Sequence, residues 1–190
     1  MIRASAVENM VTPKHFVRFY EDDDALVKEI VYFIGTGLAE GDSGLVVATK
    51  AHLQSIEERL TASGCDLVVA REQRQYVSLD AADTLSKFMI NGSPDEQRFV
   101  SEMGSLLAGL ERRHSKVRAF GEMVSLLWAE EQYEAALRLE QLWNDLIDHR
   151  ACSLFCAYRM SDFNTDTAKL RFKDVCAQHS QALLSGTGPL

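Results

Sequence analysis

The alternation of short apolar runs with helical segments is the feature that most constrains the fold of this chain. Five runs with the composition of buried strands cover residues 15–20, 44–49, 75–79, 117–120 and 153–158. Between them, apolar residues recur at the spacing of amphipathic helices. Strands that alternate with helices are joined by crossovers, which produce parallel neighbours. We therefore predict a three-layer α/β fold with a mainly parallel five-stranded sheet flanked by helices.

Residues with capping side chains mark where several helices begin. Asp80 is predicted to cap a helix that carries Leu85, Phe88 and Met89. In 93–96, the order Ser-Pro-Asp-Glu predicts a helix with serine at the N-cap, proline at the first position and glutamate at the third. The last predicted helix spans about 170–183.

The chain has no low-complexity linker, so we expect a single domain over 13–183, an N-terminal arm over 1–12 and a flexible tail over 184–190. No apolar stretch resembles a signal peptide or reaches the ~18 residues of a membrane span. The four cysteines are interpreted as reduced, small core residues. These features predict a cytoplasmic protein.

The charge balance argues against polyanionic partners. The chain has 28 acidic and 20 basic residues, a formal net charge of −8, and no cluster of lysine and arginine that could follow a phosphate backbone. We therefore expect no direct nucleic-acid binding. An acidic surface also disfavours docking on anionic membranes.

Several stretches together carry a family resemblance. They are HFVRFYEDDDAL at 15–26, GLAEGDSGLVVAT at 37–49, GEMVSLLW at 121–128, LEQLWN at 139–144 and CAYRMS at 156–161. In this order the chain resembles the MEDS (methanogen/methylotroph DcmR sensory) family over roughly residues 13–180. The resemblance implies a sensory role on a RecA/KaiC-like fold that lacks the phosphate loop. It also implies attachment to histidine kinases or DNA-binding regulators; since no output domain follows here, the output is expected in another chain.

The first strand leads into Glu21, Asp22, Asp23 and Asp24, where a RecA-like ATPase would have a glycine-rich loop with a lysine. Four carboxylates would repel a triphosphate and can themselves occupy the positive N-terminus of the next helix. They are either an acidic first helical turn, a cation site or a charged docking surface. We expect no ATP hydrolysis, no cofactor and no enzymatic activity.

In open parallel sheets, ligands bind beyond the carboxyl ends of the strands. The tentative ligand-binding residues are His15, Arg18, Tyr20, Glu21, Thr49, Lys50, Glu122, Trp128 and Tyr158. Each has a structural alternative: a core histidine for His15, a helix cap for Thr49 and core packing for the two large aromatics. Glu122 either meets a structural partner such as Arg18 or Lys50, or faces a pocket.

No Ser/His/Asp nucleophile pattern is visible. Cys176 and His179 could touch one metal ion, but two ligands are too few, so no metal site is predicted.

The leading hypothesis is a stand-alone sensory domain that binds a small ligand or a regulatory partner, such as a histidine kinase or transcription regulator, and has no catalytic activity. The alternative is a pure protein–protein interaction module; a homodimer fits either hypothesis.

Overall fold

The computed structural model describes residues 14–184, which form a six-stranded parallel sheet with the strand order β3-β2-β6-β7-β1-β8. A separate two-stranded hairpin contains β4 and β5. The strands are β1 (His15–Tyr20), β2 (Ser43–Ala48), β3 (Tyr76–Asp80), β4 (Met89–Ile90), β5 (Ser93–Pro94), β6 (Val117–Gly121), β7 (Cys152–Arg159) and β8 (Gln181–Leu184).

Helices cover both faces of the sheet. The helices are α1 (Asp23–Ala39), α2 (Lys50–Ala62), α3 (Leu67–Glu72), α4 (Ala81–Ser86), α5 (Glu96–Phe99), α6 (Ser105–Glu111), α7 (Met123–Ala129), α8 (Tyr133–Ile147) and α9 (Asp166–Ala177). A π-helical turn, Val100–Gly104, joins α5 to α6, and a 3-10 turn, Met160–Phe163, follows β7. Helices α1 to α3 pack on one face and the later helices on the other. The predicted three-layer fold with a mainly parallel sheet is confirmed.

All five predicted strands are present within one residue of their predicted ends, and β8 is a sixth strand that the sequence analysis missed. The last helix ends at Ala177 rather than near 183, and Leu183 pairs with Arg18 of β1. Leu184, which we assigned to the tail, also belongs to β8. The edge of β1 supplies the backbone partners of this short segment. The predicted arm and the rest of the tail lie outside the described residues.

The predicted helix start at Ser93 is wrong. Ser93 and Pro94 form β5, and α5 begins only after Asp95, whose side chain accepts a hydrogen bond from the Arg98 N–H at 2.9 Å. The hairpin turns through Asn91 and Gly92, which both have positive φ, as a tight two-residue turn requires. Asp80 caps α4 as predicted, but that helix ends before Phe88.

A buried arginine joins the sheet to α1. Arg118 of β6 is 8% exposed and donates from Nε to Asp42 Oδ2 at 3.0 Å and from its terminal nitrogens to Glu40, Thr36 and a backbone carbonyl of α1. All three nitrogens of the guanidinium therefore make hydrogen bonds. Its aliphatic stem lies against Gly37, where only a residue without a side chain fits.

Replacing Gly37 by alanine should destabilise the fold. A Cβ at this position would lie 2.5 Å from the Arg118 Cδ, in a side chain that its hydrogen bonds hold in place. We expect a loss of about 1–3 kcal/mol in the free energy of unfolding, measured by urea denaturation.

Gly109→Ala is the matched control, since it also replaces a helical glycine but its Cβ would approach no atom closer than 3.9 Å. It should be neutral or stabilise by about 0.4–1 kcal/mol. Equal effects of the two substitutions would contradict the proposed close contact with Arg118.

Candidate functional site

Buried and charged side chains meet at the edge of the sheet where the parallel strands end. Glu122 follows β6 and is only 3% exposed. Its carboxylate accepts a hydrogen bond from the Thr49 backbone N–H, at the start of α2, and one from His52 Nδ1 at 2.6 Å. The two acceptor oxygens of this buried acid are therefore both used.

The interactions continue from His52 across the edge. His52 Nε2 lies 3.5 Å from Asp23 Oδ1, and the same Asp23 oxygen accepts a hydrogen bond from Arg159 at 2.5 Å. The Arg159 guanidinium lies over the ring of Tyr20, 5.2 Å from its centroid. We call Glu122, His52, Asp23 and Arg159 the carboxyl-edge network. It joins the segments that follow β1, β2 and β6 to the last residue of β7.

The network changes the titration of its members. The hydrogen bond with Glu122 raises the pKa of His52 above its usual range, against the opposing effect of burial, and Asp23 adds to the rise. For Asp23, burial by itself would raise the pKa, but the Arg159 hydrogen bond and charge hold it below its usual value. Burial raises the pKa of Tyr20 to about 12, although Arg159 opposes the shift.

The helix starts at this edge are capped by the chain's own groups. The Asp22 side chain accepts a hydrogen bond from Asp24 N at 3.0 Å at the start of α1. The Thr49 hydroxyl caps α2, as the structural alternative for that residue predicted, while its own N–H is bound by Glu122. These backbone N–H groups are the ones that a bound phosphate would use in a nucleotide-binding protein.

The structure brings some of the predicted ligand residues together and separates others. Tyr20, Thr49 and Glu122 meet at the carboxyl edge, and the exposed side chains of Glu21 and Lys50 flank them. Glu122 meets structural partners, which was one of its two alternatives, but they are His52 and Thr49 rather than Arg18 or Lys50. Sequence reasoning left His52 out of the ligand residues, although its place three residues after a helix cap directs it toward the same edge.

Arg18 lies on the sheet face that packs against α1, away from this edge. Its guanidinium donates to Glu29 Oε2 at 2.7 Å and to the Leu184 backbone carbonyl at 3.0 Å. Arg18 thus links α1 and β8 to β1, so these contacts stabilise the fold.

Trp128 and Tyr158 are core residues on the opposite face. Their rings make an edge-to-face contact with centroids 5.4 Å apart, and both side chains are buried. The Tyr158 hydroxyl donates a hydrogen bond to Glu140 Oε1 at 2.7 Å, and burial raises its pKa well above the usual value. Core packing, the structural alternative for both residues, is what the structure shows.

A second group of polar side chains lies beneath α8, at the other end of the sheet. We call His15, Glu140, Cys156 and His179 the buried cluster; their side chains are between 0 and 3% exposed. His15 Nε2 lies 3.3 Å from both Glu140 Oε2 and Cys156 Sγ. His179 Nε2 lies 3.4 Å from Glu140 Oε1.

Of this cluster, the sequence analysis singled out His15 as a ligand residue and considered His179 only with Cys176. Cys176 does not belong to the group that the structure assembles. Burial alone would raise the pKa of Glu140, but the two neighbouring histidines lower it far below its usual range. Burial, aided by Glu140, raises the pKa of the Cys156 thiol well above its usual value.

Two surface grooves lie near the amino end of the sheet. One, of about 490 Å³, borders the buried cluster. Its lining residues are Lys14, His15, Asn144, Asp145, Ile147, Asp148, His149 and Ser180. The second groove, of about 670 Å³, shares Asp145 and His149 with it. A ligand pocket at the carboxyl edge stays a prediction.

The sequence matches the MEDS family model, described as the MEthanogen/methylotroph, DcmR Sensory domain, over residues 14–179. This match covers nearly all of the described chain and agrees with the resemblance carried by the motifs. No curated protein is similar enough to match the chain.

The Glu122–His52 pair should make stability depend on pH. Because the pKa of His52 is raised in the folded state, its stabilising effect is complete below the unfolded value of about 6.5 and is lost as the pH rises through the folded value. The unfolding free energy should therefore fall as the pH rises above about 6.5 and through the raised folded value. Urea denaturation across this range measures it.

Glu122→Gln should remove much of this pH dependence and lower stability by about 1–3 kcal/mol, since a buried charged acceptor is lost. Glu72→Gln, on the exposed end of α3, is the control and should behave like the unmodified protein. An unchanged pH profile in Glu122→Gln would show that the pair is not formed in solution.

Proposed function

The chain belongs to the MEDS family, and we propose that it is a cytoplasmic sensory domain without catalytic activity, which binds a small ligand or a regulatory protein. A histidine kinase or a transcription regulator is the expected kind of partner. The observation that carries this proposal is the carboxyl-edge network, because it fills the edge of the sheet with the chain's own carboxylates.

The charges at this edge oppose a nucleotide. Asp22 caps α1, and Asp23 and Asp24 lie in its first turn. The Glu122 carboxylate accepts a hydrogen bond from the backbone N–H of Thr49, the residue before α2. A triphosphate would have to displace these carboxylates and would be repelled by them. Sensing therefore has to use contacts other than those of an ATPase.

The network is suited to respond to a ligand or partner. Asp23 and Arg159 are half-exposed and belong to a chain of polar contacts that ends at the buried Glu122. A molecule that competes for either exposed group would alter the contacts of His52, and through them those of β2 and β6. Such differential contacts are what a sensor needs in order to change state.

The alternative, an interaction module without a small ligand, is favoured by the charges around the network. Glu21 and Asp22 are exposed beside it, and they provide negative charge for a basic region of a partner, whereas Asp24 is paired with Lys28 and Arg59.

All four cysteines lie within the described residues and have free thiols. This supports the proposal that the protein works in a reducing compartment. In the described part of the chain, no helix has both the length and the apolar composition needed to cross a membrane.

ATP with Mg²⁺ should leave the melting temperature unchanged, because the phosphate-binding groups at the carboxyl edge are already used. A ligand at ~100 times its Kd would add ~2.7 kcal/mol of stability, which differential scanning fluorimetry would detect. A clear ATP-dependent rise would refute the exclusion of nucleotides from this edge, and ATP hydrolysis by the purified chain that Glu122→Gln abolishes would refute the non-catalytic proposal.

Reversing one charge beside the network should weaken the regulatory complex. With the kinase or regulator identified by pull-down, Glu21→Lys should reduce affinity several-fold and should reduce the salt dependence of binding. Glu72→Lys, an exposed acid on the opposite edge of the sheet, serves as the control. A chain that is monomeric by light scattering and retains no regulator would count against a partner-dependent role.

A further inference from the structure

We propose that the buried cluster of His15, Glu140, Cys156 and His179 is a zinc-binding site. The proposal goes beyond the sensory role and does not depend on it. Two imidazoles, a thiol and a carboxylate are the side chains that bind zinc in proteins. One ligand atom from each of the four residues lies within 4.8 Å of all the others.

Four contacts in the cluster are close to the ligand spacings around one zinc ion, with His15 and Cys156 beside Glu140 Oε2 and His179 beside Glu140 Oε1. For zinc, ordinary bond lengths place two nitrogen or oxygen ligands about 3.3 Å apart and either of them about 3.6 Å from a sulfur. The two histidine–carboxylate distances are 3.3 and 3.4 Å. Cys156 Sγ lies 3.3 Å from His15 Nε2 and 3.6 Å from Glu140 Oε2.

Both histidines are oriented with Nε2 toward the cluster. His15 Nδ1 donates to Asn144 Oδ1 at 2.8 Å, and Asn144 is itself oriented because its Nδ2 donates to the Gln178 carbonyl at 2.9 Å. His179 Nδ1 donates to the Val175 carbonyl at 2.7 Å. In the neutral rings this leaves the Nε2 lone pairs directed inward, the arrangement that outer hydrogen bonds impose on metal-binding histidines.

In the part of the chain that the structure describes, one polar atom of the cluster lacks a hydrogen-bond partner. Within the described residues, the fully buried His179 Nε2 makes no hydrogen bond, although Glu140 lies nearby. A buried nitrogen of this kind normally has a partner. A zinc ion would supply it, and the Cys156 thiolate and the Glu140 carboxylate would together neutralise the two charges of the ion. Binding would release the Cys156 thiol proton to solvent.

Four protein ligands would fill the coordination shell, which is typical of structural zinc rather than of a catalytic centre. The ligands come from β1, α8, β7 and the segment just before β8. The ion would thus hold the α9–β8 segment against the sheet, and its loss should loosen that segment.

Metal content and metal-dependent stability test the proposal directly. Protein made without a polyhistidine tag in zinc-supplemented medium should contain about one zinc per chain by mass spectrometry of the metals. A strong chelator should lower the melting temperature and speed amide hydrogen exchange in β8, and added zinc should reverse both effects. Cobalt in place of zinc should give a thiolate-to-metal charge-transfer band.

Cys156→Ser should abolish the charge-transfer band, and both it and His179→Gln should lose stoichiometric zinc. Cys152→Ser, at another buried cysteine of β7, and His149→Gln, at an exposed histidine, are matched controls that should keep the metal. Circular dichroism checks that each variant is folded.

Unmodified protein that contains no zinc, shows no stabilisation by added zinc and gives no cobalt band would overturn the proposal; the cluster would then be a metal-free histidine–carboxylate network. Zinc that persists in both ligand variants would overturn it as well, since the metal would be bound elsewhere. If neither ligand variant folds, the chelation and cobalt measurements on the unmodified protein decide the question.

Discussion

The burial of one carboxylate, that of Glu140, is the constraint on which much of the surrounding structure depends. Removing a carboxylate from water costs several kcal/mol unless charged or hydrogen-bonding partners replace the solvent. Here the partners are His15, Cys156, Tyr158 and His179, which come from β1, β7 and the segment before β8. To satisfy Glu140, α8 must lie in one register over the sheet and the α9–β8 segment must close against β1.

The two polar sites share two neighbouring strands, β1 and β7. Strand β1 begins at His15, in the buried cluster, and ends at Tyr20, beneath Arg159 of the carboxyl-edge network. Strand β7 likewise contributes Cys156 to one site and Arg159 to the other. At about 3.3 Å per residue, the six residues of β1 span ~16–20 Å. A displacement of either strand would therefore reach both sites.

Local sequence patterns encoded most of the fold. The apolar runs predicted five strands to within a residue, because strands covered on both faces are continuously apolar and bounded by polar turns. The errors occurred where local signals compete with tertiary contacts. Ser93 and Pro94 look like a helix start, but the Asn91–Gly92 turn pairs them with β4. The run at 181–184 is too short to show a period, and its pairing with β1 made it a strand.

The sequence by itself determined the parallel sheet, the helix cap at Asp80 and the run of acidic residues that follows the first strand. All of these follow from residue types a few positions apart. Only the tertiary structure decided that Glu122 pairs with His52, 70 residues away, and that His15 meets Cys156, 141 residues away. Such partners have no fixed spacing along the chain, because crossovers of variable length separate the strands and helices that carry them. Packing of the layers alone brings these side chains together.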